Sequence, residues 1–257
     1  MNMDLNIYTT EMSKSIWDKA FFMDKIPGAK CIIDFGCADG AMERLLAPLF
    51  PDIEFFGYDM NVELLTCAAE TTPEDYSISY WHSSEFRSML HWIKDIYKPD
   101  EICLNFSYVL HEVFSGTDNG IDAIREIIDE LHPKYITIRD MYYDGPDDYV
   151  SQIFKHYILS ECDQDCIDEF IEKFGRIDSV KRLIHFLMKY LWKDNGYLQE
   201  LEENYFSWNI DAFKKLVGKY SVIFETHYML PYYYEKWRGL ISSDIHTHAQ
   251  FILRRDN

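Results

Sequence analysis

The chain has few positive charges for its size: 25 Lys and Arg against 44 Asp and Glu give a formal charge of −19. A surface of that sign repels polyanions at long range, which argues against non-specific nucleic-acid binding. Long hydrophobic runs are missing too. No apolar stretch reaches the roughly 18 residues that span a bilayer, and "MNMDLNIYTTEMSKSIWDKAFF" lacks the charged, apolar and small-residue zones of a secretion signal. A soluble, cytoplasmic chain that meets no membrane is therefore expected. There is no G-x-x-x-x-G-K-[ST] loop, no G-x-S-x-G elbow, and "HEVFS" lacks the second histidine of H-E-x-x-H. These absences remove the common phosphate-binding loop, the hydrolase elbow and the zinc-protease helix. The six cysteines are scattered, without metal-ligand spacing, as small hydrophobes in a reduced compartment are. His246 and His248 would share one face of a strand and could chelate, but no third ligand is visible, so no metal is assigned.

What the chain does have is core. With 47% hydrophobic residues, short runs rich in Ile, Val, Phe and Tyr alternate with segments of helical period, the pattern of an α/β sheet covered by helices on both faces. Strands are expected over 30–36, 54–60, 76–82, 100–108 and 134–141, and helices over 38–50, 61–70, 85–97 and 118–131, with prolines in "FPD", "TTPED", "YKPD" and "LHPK" at the breaks. From about 145 to 219 only helical patterns occur, and two closing strands follow at 220–230 and 244–255, readable as an antiparallel pair. The expected division is a core of 1–144 and 220–257 with a helical insertion at 145–219.

The first strand runs into "DFGCADG". Gly36 and Gly40 allow a tight turn that a ligand can approach, but Asp34 would repel the pyrophosphate of a dinucleotide and suits an ammonium group instead. Asp59 ends the second strand nineteen residues past Gly40, where a carboxylate reaches the hydroxyls of a ribose. An adenosine with a positively charged amino-acid tail satisfies both acids.

In these residues the chain resembles the class I S-adenosylmethionine-dependent methyltransferase family. The motif acid-x-Gly-x-x-x-Gly matches Asp34, Gly36 and Gly40, with Ala38 at the small middle position; Asp59 matches the acid closing strand two, and "NFSYVLHEVF" the fourth-strand motif. The resemblance implies a Rossmann-like, seven-stranded, mostly parallel sheet with its last strand antiparallel. It also implies S-adenosylmethionine as cofactor, held by Asp34, Gly36, Ala38, Gly40, Asp59, Met60, Ser84, Asn105 and Ser107. For the adenine contact "HSSEF" offers Ser83, Ser84 or Glu85.

Methyl transfer needs alignment above all, and a base only if the acceptor loses a proton. His111, Glu112 and Asp140 follow strands four and five and are the catalytic candidates, His111 first because an unperturbed imidazole titrates near neutrality. A plainer reading, in which His111 packs at a helix start, stands beside it. Tyr108, Tyr142 and His227 are candidates to touch substrate. The insertion is rich in aromatics, including Tyr149, Phe154, Tyr157, Tyr190 and Tyr205, and would serve as a lid over a partly apolar small molecule. The segment 173–193, with six basic residues and one acid, keeps an RNA or protein substrate open, and a non-catalytic binding module is the third reading. Composition leaves the oligomeric state open.

Overall fold

The computed structural model describes residues 15–116, 119–145, 147–148, 152–194, 196–237 and 245–256, with the side chains of 119, 152–154, 157 and 232 excepted. Tyr149 and the side chains of Phe154 and Tyr157 therefore lie outside the described residues, as does the whole stretch before Ser15.

Seven strands form one sheet: β1 (Cys31–Phe35), β2 (Glu54–Asp59), β3 (Ile78–His82), β4 (Ile102–Ser107), β5 (Tyr135–Met141), β6 (Tyr220–Tyr228) and β7 (His248–Arg255). Their order is β3-β2-β1-β4-β5-β7-β6. The pairs from β3 to β5 are parallel, and β7 runs antiparallel between β5 and β6. The expected seven-stranded, mostly parallel architecture is present. The closing pair occupies one edge because Met141 and Tyr228 both face His248 across the ladder.

The central strands are apolar and buried on both faces, as a parallel sheet between helix layers requires. One core layer joins Ile33, Phe56, Leu104, Phe106, Ile136 and Ile138 to Met89, Leu90 and Ile93 of helix Phe86–Ile96 and to Ile124 and Ile127 of helix Asn119–Leu131. On the opposite face Phe22, Ile26, Ile32, Met42, Leu46 and Phe55 pack together. A third cluster belongs to the stretch between β5 and β6, where Ile158, Phe170, Leu183, Phe186, Leu187 and Tyr205 bury one another. The helices there are Gln152–Leu159, Gln164–Phe174, Val180–Tyr190, Tyr197–Glu200 and Ile210–Val217. The last of them packs elsewhere: Phe213 and Val217 join the core of the sheet. A helix absent from the expected pattern, Leu110–Ser115, starts three residues after β4 and brings the "LHE" residues to the carboxyl edge.

Candidate functional site

The strand order reverses between β1 and β4, and a crevice opens there at the carboxyl ends. A cavity of about 1300 Å³ fills it. Its wall includes Asp34, Gly36, Ala38, Asp59, Met60, Ser83, Ser107, Tyr108 and Glu112, together with Lys19 from helix Ile16–Lys19 and Gln199, Glu200 and Glu203 from the inserted stretch.

The turn after β1 is wound tightly. Gly36, Ala38 and Gly40 have φ of +83°, +50° and +72°. A side chain on Gly36 would meet Val109 Cγ2 at 2.7 Å, and one on Gly40 would run into the hydroxyl of Tyr80. Asp59 closes the turn: its Oδ2 accepts from the Ala38 amide at 2.9 Å and its Oδ1 from the Asn61 amide at 2.8 Å. A carboxylate has about four acceptor sites, so lone pairs remain for a ligand's hydroxyls.

Asp34 is 4% exposed and anchored across the sheet. In the parallel register Asp34 stands beside Asn105, and Asn105 beside Thr137. The Asn105 amide donates to Asp34 Oδ1 at 2.6 Å, and Thr137 donates to Asn105 Oδ1 at 2.7 Å. Asn105 thus stands behind the cavity wall as a support. Burial, opposed by the Asn105 bond and the Lys19 charge, raises the Asp34 carboxyl to about 6. Beside it, Glu43 is fully buried and its two oxygens meet no donor among the described residues. Burial first, then the Asp34 charge, hold Glu43 well above the carboxylate range, so the neutral acid is the form that faces Asp34. Half-buried Lys19 completes this end; burial and the neighbouring Arg139 charge lower its ammonium to about 8. Ser107 Oγ is buried, on the cavity wall, and without a partner among the described residues.

The opposite end is built around His111, which is 2% exposed. Its backbone amide donates to Asp140 Oδ2 at 3.0 Å, its Nδ1 lies 2.6 Å from Asp140 Oδ1, and its Nε2 lies 3.4 Å from Glu203 Oε2. Burial alone would lower the imidazole; the charge and hydrogen bond of Asp140, with Glu203, outweigh it and raise the group well above its ordinary value. His111 is therefore held as imidazolium near neutrality, unlike the unperturbed histidine expected from sequence. Glu112 is exposed on the cavity wall; partial desolvation there, with Glu203 nearby, raises its carboxyl to about 8. His111, Glu112 and Glu203 bring one polar atom each within 4.8 Å of one another, and the imidazolium turns its two ring N–H groups toward Asp140 and Glu203.

Behind Glu203 a second buried network ties the inserted stretch to the site. Lys189 is fully buried, donates to the Glu200 carbonyl and lies over the Tyr205 ring, 3.5 Å from its centroid. The Tyr205 hydroxyl donates to Glu200 Oε2, and its ring meets His111 edge-on at 5.6 Å.

Among the remaining candidates, Met60 and Tyr108 line the cavity. Tyr108 sits in the left-handed region at φ +59°, with its hydroxyl 2.7 Å from His248 Nε2. Strained residues of this kind gather at functional sites. Ser84 is exposed and bonded to His82 Nδ1 at 2.9 Å, while Ser83 is the serine on the wall. Tyr142 and His227 stand apart from the cavity, packed on each other at 5.3 Å near Phe251. Lys19, Glu43, Lys189, Glu200 and Glu203 were not legible as site residues. The one local signal for the last two is a polar break, "QELEENY", inside an aromatic helical stretch.

No protein-family profile and no curated protein matches the chain. Among solved structures, an S-adenosylmethionine-dependent methyltransferase from Mesorhizobium loti is similar, at 13% identity over 94% of this chain and 98% of that one, with a TM-score of 0.51. The mitomycin 7-O-methyltransferase MmcR matches at 11% identity and a TM-score of 0.51, over 95% of this chain and 55% of that one. TnmH matches at 9% identity and a TM-score of 0.52, over 96% of this chain and 57% of that one. The chain has the fold of the class I S-adenosylmethionine-dependent methyltransferases.

Proposed function

We propose that this protein is an S-adenosylmethionine-dependent methyltransferase whose acceptor is a small molecule enclosed beneath the inserted helices. The observation that carries this reading is one cavity whose wall holds both an ammonium-seeking acid, Asp34, and the Glu112 and Glu203 carboxyls beside His111. The fold supports methyl transfer in general, and MmcR, named for mitomycin, is a fold-mate whose acceptor is a small molecule.

The residues present fit the donor. Asp34 suits its ammonium and Lys19, at the same end, its carboxylate; Asp59 suits the ribose, and the orphaned Ser107 hydroxyl awaits a polar partner. S-adenosylmethionine, when bound, supplies a sulfonium methyl open to in-line displacement. The protein's part is to align the acceptor and exclude water. Glu200 and Glu203 bring the inserted stretch down to the cavity, as a lid would. Glu112, whose carboxyl is raised to about 8 by desolvation first and by Glu203 nearby, stands on the cavity wall where it can exchange a proton with an acceptor that must lose one.

Half of the six basic residues in segment 173–193 are spent within the protein, which favours a small acceptor over RNA. Lys173 pairs with Glu202 at 2.7 Å, Lys193 pairs with Asp163 at 3.1 Å, and Lys189 points inward. These three basic groups are neutralised or buried and offer no open stripe to a phosphate backbone.

The test is transfer of label from methyl-labelled S-adenosylmethionine into fractions of a cell extract. Label is expected in the low-mass fraction with wild type, and lost with Glu203→Gln. Label in RNA or protein would contradict the small-molecule acceptor.

A further inference from the structure

The two histidines of "DIHTHAQF" do not act as a pair. His248 is fully buried, with Nε2 2.7 Å from the Tyr108 hydroxyl and Nδ1 2.7 Å from Thr247 Oγ1, so both of its nitrogens are engaged. His246 lies outside that network. It meets His227 of β6, ring centroids 6.0 Å apart at 85°, and Asp144 from the segment after β5.

The sheet explains the meeting. Met141 and Tyr228 flank His248 in the antiparallel ladders, so the residues just past β5, near the end of β6 and just before β7 share one corner. There Asp144, His227 and His246 each present a ligand atom, all within 4.8 Å of one another. His227 is the fixed member. Its ring is packed between Tyr142 at 5.3 Å and Phe251 at 5.7 Å, and its side chain is 15% exposed. Its Nε2 lies 2.9 Å from Glu225 Oε1, and its Nδ1 lies 3.0 Å from Asp144 Oδ2. A carboxylate that accepts a hydrogen bond from one ring N–H fixes the tautomer and leaves the other nitrogen as a directed lone pair, the usual support of a metal-bound histidine.

We propose that Asp144, His227 and His246 form a binding site for a divalent transition metal of the zinc class, with Glu225 orienting His227. Two imidazoles and one carboxylate favour zinc-like ions over magnesium or calcium, which prefer all-oxygen shells. Metal–ligand distances of about 2.0–2.2 Å require the three donors to draw in by roughly an ångström. Asp144, 45% exposed, has the freedom to do so. Its exposure also supplies the entry path and leaves a coordination position for water. None of the three residues lines the cavity, so the metal would pin β5, β6 and β7 together and take no part in the methyl-transfer step.

Calorimetric titration of zinc into the full chain tests this, together with visible absorption of the cobalt(II)-substituted protein. Wild type is expected to bind one equivalent at this corner. His246→Ala should weaken that binding at least tenfold and abolish the cobalt band, with circular dichroism showing the variant folded. Glu225→Gln should weaken it about 10–100-fold, and His91→Ala, at an exposed histidine on helix Phe86–Ile96, should leave it intact. Absence of zinc binding, affinity unchanged in His246→Ala, or binding lost in a folded His91→Ala would each overturn the proposal.

Discussion

His111 shows how much a single side chain depends on what surrounds it. Alone it would titrate near about 6.5; between Asp140 and Glu203 it stays charged well above that. A histidine raised on folding contributes stability that is complete below its unfolded value and lost as pH rises through its folded one. Asp140→Ala should therefore cost about 3–5 kcal/mol, the range for breaking a buried pair, in urea unfolding near pH 6. The cost should shrink at alkaline pH. A cost that grows with pH would mean that His111 is neutral in the folded protein. Asp34 is tuned in the same direction from the opposite charge type, since burial raises it to about 6 against the lowering by Asn105 and Lys19. A bound cation favours its carboxylate form further, which couples ammonium binding to the ionisation of Asp34.

At the level of elements, the turn after β1 carries the most local strain. Gly40 combines φ +72° with a close approach to the Tyr80 hydroxyl, whereas Gly28 has φ +85° in open space. Alanine at Gly28 should cost about 1–2 kcal/mol of positive-φ strain, and alanine at Gly40 about 1–3 kcal/mol more as the core overpacks. Equal costs, measured by denaturant unfolding, would show that Tyr80 yields freely. The sheet was legible because its strands are apolar runs bounded by proline, and because Asp34 and Asp59 occupy strand ends whose geometry is local. Glu203 was not legible, since its importance arises from a contact with His111 across 92 positions of sequence. Helix Leu110–Ser115 escaped because its six residues are too short for a periodic signal. Tyr142 and His227 looked like substrate contacts from their place near strand ends; the antiparallel β7 directs them to the β6 corner instead.

Across the whole molecule, the charge of −19 and the acid-lined cavity have the same bias, toward a cationic donor and away from polyanions. The inserted stretch buries its own core and still contributes Glu200 and Glu203 to the cavity wall, so its stability and the shape of that wall share the Lys189–Glu200–Tyr205 network. All of this rests on the donor lying between Asp34 and Asp59. Calorimetric titration of S-adenosylmethionine measures that directly. Wild type should bind one equivalent, with affinity rising about tenfold from pH 5 to pH 7 as Asp34 ionises. Asp34→Asn should lose about 1.5–3 kcal/mol of binding, the worth of a hydrogen bond to a charged group, and its pH dependence. No heat of binding in wild type, or an unchanged affinity in Asp34→Asn, would contradict the account.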